Sequence, residues 1–494
     1  MLARGLPRAF SFSLLVLGLL LRPASADVLY ARSTNAHDLA RVRSQPSAKT
    51  GVADWDRIRA SVEHVRNRYS TAAMAARREE STVSQPGTRG ADQAGGSTSP
   101  QLEERKKRMK KKMKKAHVHA NARDNTGTNQ GSGVTSRLHG AFHDDESLNY
   151  HMHVKIGTKP DGFKMLVDTG STVAWVVGPR CKKAGCRGPD NGADRKIFDP
   201  NSSSSTCKAL GTTFSIDYTR GKVKGDVFED SFTFGAGALQ LGQQRFGVAE
   251  DVSPDFADSV CDGLLGLAPV AHTTNGAPTF LSALFNGGTK LDTSFISIFL
   301  GRPSSGTARR SEIRFGAQVN YDLIRGDEKK ISFFPLIQSD FWAIRVRGLG
   351  VKGATDGQHH QIGGAGDDNG SGDKGIDAVI DTGTTLIHAP SAEVDKFWSG
   401  VPGSRKQIGG ELDSFWSFPC DHKLEAELLL SDGTRLDISA LDLNMGKVSE
   451  GSAECVGALY AMDGAGFVLG QAALKSVYTV LDWAGRRVGL AQAI

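Results

Sequence analysis

The sequence predicts an all-β protein whose two lobes face each other across a central cleft. Three observations predict it. From Tyr150 onward, short runs rich in Val, Ile, Phe and Leu are separated by clusters of Gly, Pro, Asp and Ser. Helix-like stretches in that region are few and short, at 279–284, 392–397 and 471–477. Finally, Val167-Asp168-Thr169-Gly170-Ser171-Thr172 returns as Ile380-Asp381-Thr382-Gly383-Thr384-Thr385. That coarse duplication gives each half of the body its own copy of one motif.

The strands are expected where apolar and polar residues alternate between turn residues. Such runs fall at 151–158, 163–170, 214–219, 226–235, 294–300, 331–337, 341–349, 377–385 and 474–482. The longest interval rich in chain breakers, 352–375, is expected to be a surface loop.

Ahead of the β body the texture differs. Arg4 and Arg8 precede an apolar run at 10–21, followed by Pro23, Ala24, Ser25 and Ala26. A basic start, a short apolar core and a small-residue close are those of a secretory signal peptide cut near Ala26. The apolar run is too short for a bilayer core, which takes about 20 residues. Residues 1–26 are therefore expected to be a signal peptide, 27–140 a basic and partly disordered pro-segment, 141–330 the first lobe and 331–494 the second. A helix is expected over 54–80, where Val52, Trp55, Ile58, Val62 and Val65 recur at helical spacing. No apolar anchor tail follows Leu490, so a soluble monomer is expected, either secreted or in the lumen of an acidic vacuole or lysosome.

The formal charge of +6 conceals an uneven distribution. Residues 1–140 hold 25 Lys/Arg and 11 Asp/Glu, whereas 141–494 hold 35 and 43. The block at 105–115, RKKRMKKKMKK, would suit nucleic acid in isolation. Behind a signal peptide, and beside an acidic body, it reads instead as part of a removable segment attracted to that body. No nucleic-acid partner is expected.

All six cysteines, Cys181, Cys186, Cys207, Cys261, Cys420 and Cys455, lie in the β body, and an oxidising compartment favours disulfides. No Cys-x2-Cys pair occurs, so neither a metal nor any other cofactor is expected. Sequons at Asn201 and Asn369 are candidate glycan sites on exposed loops. There is no HExxH zinc helix and no GxSxG nucleophile elbow.

The repeated motif carries the chemistry. Amide hydrolysis needs a base to activate water and an acid to protonate the departing nitrogen. Two carboxylates about 3 Å apart do not both ionise readily, so one retains a proton while its partner polarises water. Their two apparent pKa values belong to the pair. Asp168 and Asp381 are the candidate pair. Gly170 and Gly383 permit close backbone approach, Thr169 and Thr382 are placed to cross-brace the loops, and Ser171 and Thr384 carry hydroxyls toward the outer carboxylate oxygens. Thr385 completes the second motif.

These motifs and their surroundings resemble the pepsin family of aspartic proteases, from about Tyr150 to Ala493. The resemblance implies two β-barrel-like lobes, a flap hairpin at 215–221 and cleavage of extended polypeptides near bulky apolar residues, at acid pH. It implies that Tyr218 on the flap bonds toward Trp175, and that Leu166 and Leu264 lie near the dyad. It pairs Cys181 with Cys186 and Cys420 with Cys455. Asp262–Leu267 and Phe467–Gly470 resemble the strands that support each catalytic loop. The family's small second-lobe disulfide is missing, which leaves Cys207 and Cys261, expected to bond to each other. Thr219 and Arg220 depart from the usual small flap pair, and Gln471 stands where many members have Asp. The resemblance also implies a zymogen, with a lysine of segment 27–140 in the cleft and maturation between residues 136 and 149. The competing expectation is a catalytically silent peptide-binding protein of the same fold.

Overall fold

A computed structural model describes Ala53, Val62 and Tyr69, and residues 133–494 apart from 144–145, 188–194, 218–221, 236–237, 257–258, 272, 274–277, 303–305, 353–374, 408–413 and 465. The signal peptide, the basic block at 105–115, Tyr218, Arg220 and Asn369 lie outside the described residues. So does most of the helix expected over 54–80, of which Val62 and Tyr69 are described as helical.

The chain is predominantly β, as expected. In order, the strands are β1 (Val134–Arg137), β2 (His139–His143), β3 (Glu146–Ile156), β4 (Phe163–Asp168), β5 (Trp175–Val177), β6 (Lys208–Asp217), β7 (Lys222–Phe234), β8 (Leu239–Val252) and β9 (Gly263–Gly266). Next come β10 (Phe295–Phe299), β11 (Glu312–Phe315), β12 (Ser332–Pro335), β13 (Ala343–Val351), β14 (Ile376–Ile380), β15 (Ile387–Ala389), β16 (Arg405–Lys406), β17 (Trp416–Pro419) and β18 (Ala426–Leu430). The last are β19 (Arg435–Ile438), β20 (Asn444–Lys447), β21 (Glu454–Gly457), β22 (Leu459–Ala461), β23 (Phe467–Leu469), β24 (Val477–Asp482) and β25 (Arg487–Gln492).

The strands form four sheets. The largest runs β2-β3-β4-β9-β5-β8-β7-β6, and β3 also pairs with β7, so the strands return upon themselves. A second runs β19-β18-β13-β14-β23-β15-β22. A third, β1-β11-β10-β24-β25-β12, gathers strands from both halves of the body, and β16-β17-β21-β20 form the fourth.

The duplication seen in the motif extends to these sheets. In the first, β4 runs parallel to β9, β9 antiparallel to β5, and β5 parallel to β8. In the second, β14 runs parallel to β23, β23 antiparallel to β15, and β15 parallel to β22. Strands paired in parallel need long crossovers, which explains why each supporting strand lies so far along the chain from its motif.

Alternation sets the core. Along β4, Phe163, Met165 and Val167 are buried while Lys164 and Leu166 are half-buried. Three helices of the β body match the expected stretches with shifted ends. One spans Phe280–Asn286, because the Thr279 side chain accepts a hydrogen bond from the Ser282 amide and so caps it from outside. Two others span Ser391–Ser399 and Gln471–Leu474, and a further short helix, not expected from the sequence, spans Ala440–Leu443. Among the described residues, no helix is long and apolar enough to cross a membrane.

Two disulfides are present, Cys181–Cys186 and Cys420–Cys455. The expected Cys207–Cys261 bond is absent, and both are free thiols. Sheet order gives the reason. Cys207 leads into β6 at a sheet edge, whereas Cys261 leads into β9, with β7, β8 and β5 between. Strands about 4.8 Å apart cannot bring those Cα atoms within the roughly 7 Å a disulfide needs.

Candidate active site

Each copy of the repeated motif leaves the end of a central strand. Asp168 closes β4 beside Gly266 of β9, and Asp381 follows β14, where Ile380 faces Leu469 of β23. Both aspartates are fully buried. The passing chain comes very close. A Cβ on Gly266 would lie 2.7 Å from the Ser171 carbonyl, and one on Gly470 would lie 2.1 Å from that of Leu386. Those positions admit no side chain, so glycine there lets each supporting strand thread beside its motif.

The carboxylates have matching surroundings. Asp168 Oδ1 accepts from the Gly170 amide at 3.0 Å, and Oδ2 from Ser171 Oγ at 2.6 Å. Asp381 Oδ1 accepts from the Gly383 amide at 2.9 Å, and Oδ2 from Thr384 Oγ1 at 2.6 Å. Donors aimed at carboxylate oxygens favour charge there.

The two loops are tied together directly. Thr169 Oγ1 donates to the Ile380 carbonyl and Thr382 Oγ1 to the Val167 carbonyl, both at 2.8 Å. In return, the Thr382 amide donates to Thr169 Oγ1 at 2.9 Å and the Thr169 amide to Thr382 Oγ1 at 3.2 Å. All four bonds link residues more than 200 positions apart. They draw the carboxylates together. A Cβ on Gly383 would stand 2.5 Å from Asp168 Oδ1 and 3.3 Å from Asp381 Oδ1, so the two oxygens are closer than the sum of those lengths.

The remaining expected residues fall around this centre. Trp175 and Leu264 are buried in one small apolar cluster, with half-buried Leu166 packed on it. Trp175 stands edge-on to Phe256 with ring centres 5.9 Å apart. Thr385 is half-buried, and its carbonyl accepts from the Ala472 amide at 2.9 Å. β6 and β7 pair antiparallel up to Asp217 and Lys222, and Tyr218 lies outside the described residues. Gln471, marked by the sequence only as a departure, is fully buried, and its Nε2 donates to the Thr382 carbonyl at 2.8 Å.

Three features escaped the sequence. Arg195 is buried and donates to the carbonyls of Gly185, Phe256 and Ser259, tying the Cys181–Cys186 loop to the approach to β9. Asp262 is fully buried and accepts from the Lys164 and Lys196 amides, yet burial outweighs those bonds and raises its pKa. Most telling, Tyr69 donates from its hydroxyl to Asp381 Oδ2 at 2.8 Å and meets Phe341 edge-on at 4.9 Å. A lone tyrosine in a region rich in arginine offers no pattern by which to single it out.

Residues 149–493 match the family model described as eukaryotic aspartyl protease. The chain belongs to that family. The protease is 29% identical over 331 residues to an aspartic protease of Phaffia rhodozyma, covering 66% of this chain and 72% of the relative. It is 27% identical over 351 residues to gastricsin of Cavia porcellus, covering 70% and 80%. Vacuolar protease A of Aspergillus fumigatus is 29% identical over 360 residues, covering 71% and 80%. The protease is thus an aspartic endopeptidase, hydrolysing peptide bonds at acid pH through a pair of aspartates.

Proposed function

We propose that Asp168 and Asp381 are that pair. The observation carrying this reading is the reciprocal threonine bonding between the loops of two buried carboxylates that share the same loop donors. One carboxylate takes a proton from water as the oxygen attacks the peptide carbonyl. The other, protonated, donates to the carbonyl oxygen. The tetrahedral intermediate collapses as the nitrogen accepts a proton, and the C–N bond breaks.

The duplicated strand orders support two lobes, 141–330 and 331–494, with the substrate extended between them and the β6–β7 hairpin as a flap. Leu166 and Leu264 beside Trp175 support a preference for bulky apolar residues near the cut. Relatives named gastricsin and vacuolar protease A are compatible with either secretion or an acidic lumen.

The segment 27–140 acts as an intramolecular inhibitor in this reading. Tyr69 occupies a hydrogen-bonding position on Asp381, and the Ala53 amide donates to the Lys447 carbonyl at 2.8 Å. The contact supporting inhibition is a neutral phenol, and the lysines of this segment lie outside the described residues.

The test is cleavage of a peptide library between about pH 3 and 7, by wild type and by Asp168→Asn and Asp381→Asn. Both variants should fold and lose turnover, and a statine-type peptide should block the wild type. Substantial turnover by either variant removes that residue from the dyad.

A further inference from the structure

The threonine bonds are not the sole tie between the two aspartate loops. Trp342 stands just ahead of β13 and its side chain is fully buried. Its indole Nε1 donates to the Leu267 carbonyl at 2.7 Å, across 75 positions of chain. The Leu267 amide in turn donates to the carbonyl of Asp168 at 2.8 Å. On the other side, the Trp342 carbonyl accepts from the Ile380 amide at 3.0 Å, one residue before Asp381.

We propose that Trp342 is a positioning residue for the dyad, whose indole N–H completes a second brace from Asp168 to Asp381. The route runs Asp168 carbonyl, Leu267, Trp342, Ile380, Asp381. Each link is a hydrogen bond or a peptide unit, so the path contains no flexible side chain except the indole, whose ring is immobilised by burial. The threonines fix the loops at their tips. Trp342 fixes their stems, one strand further out, and two separated ties resist rotation of one loop against the other where one tie cannot.

This matters because catalysis by a shared proton depends on the separation and tilt of the two carboxyl groups. A misplacement of about 1 Å can cost roughly a hundredfold in rate. The indole touches neither carboxylate, so its effect is on geometry and on how strongly the two titrations are coupled.

The inference rests on Asp168 and Asp381 being the dyad, so its test runs beside Asp168→Asn and Asp381→Asn. The full chain is expressed and matured as wild type, with Trp342→Phe, which keeps an aromatic ring but has no N–H. A second variant carries 3-benzothienylalanine at 342, which keeps the bicyclic shape and lacks the donor. For both, kcat should fall about tenfold or more with KM nearly unchanged. The two apparent pKa values of the kcat profile should move toward each other as the coupling weakens. Unchanged kcat and an unchanged pH profile in the benzothienyl variant would overturn the brace. So would a loss in Trp342→Phe that the benzothienyl variant fully restores, because packing alone would then account for it. Active Asp→Asn variants would instead overturn the dyad.

Discussion

The hydroxyl of Tyr69 lies 2.8 Å from Oδ2 of Asp381, the same oxygen that accepts from Thr384, with 312 positions of chain between tyrosine and aspartate. A substrate carbonyl or water approaching that carboxylate must displace the phenol first. Hydrogen bonds to charged groups contribute about 1.5–3 kcal/mol. Tyr69→Phe in the uncut precursor should therefore raise the population with an open site by roughly ten- to a hundredfold. Hydrolysis of a fluorogenic peptide by precursor whose maturation is blocked provides the measurement. Equal background rates for variant and wild type would show that the phenol does not hold the site closed.

Acid sensitivity should arise from His388. It lies on β15, fully buried, with neither ring nitrogen hydrogen-bonded. β22, β23 and the helix Gln471–Leu474 pack around that strand. Tyr460, 5.6 Å away between ring centres, is the one titratable side chain they carry. Burial alone lowers the His388 pKa to about 3. The unfolded chain binds a proton below about pH 6.5 that the folded protein refuses, so stability falls as pH drops toward 3. At pH 4 the loss is on the order of 3 kcal/mol. His388→Leu should flatten the acid side of the stability curve. Urea midpoints from pH 3.5 to 7 test this, and parallel curves for the two proteins would refute it.

Gln471 offers a switchable probe of the second catalytic loop. Its Nε2 donates to the Thr382 carbonyl, between Asp381 and Gly383. In Gln471→Glu the replacement donates while protonated and repels that carbonyl once ionised. Activity should be near normal at low pH and fall as the new carboxyl ionises, whereas Gln471→Met should be impaired throughout. A pH profile of kcat decides between this and a packing role, for which both variants would lose activity evenly.

The free thiols give a direct chemical check. Burial pushes the Cys207 thiol up to about 11 and that of Cys261 up to about 12, so both are poor nucleophiles in the folded protein. A colorimetric thiol reagent should find little in native protein and two thiols per chain after unfolding without reductant. No thiols after unfolding would mean that these cysteines are bonded.

The sequence made the β body, the repeated motif and the placement of Ser171, Thr384 and the two threonines legible, because those features are local patterns of alternation and spacing. The threonine bonds span the whole body, yet they follow once the motif is doubled. The Cys207 assignment failed because counting cysteines ignores strand order. Trp342 read only as the start of an apolar strand, since the carbonyl it meets is a backbone atom with no sequence signature. Tyr69 stayed hidden for a related reason. The charge imbalance directed attention to lysines, and a neutral donor contributes nothing to a charge count.

β1 is a four-residue strand, and its ladder on β11 pairs Val134 with Phe315 and Arg137 with Glu312. The expected maturation window of 136–149 overlaps it and both strands of the adjoining β2–β3 pair. Scission there would leave β1 as a separate peptide, retained by a short ladder and free to wash out. Its departure would bare the backbone groups of β11 and create a new sticky edge for another extended chain. Removal of the leader upstream of Gly133 avoids that hazard, so the first residue of the mature protein, read by Edman chemistry, reports whether the sheet keeps its outermost member.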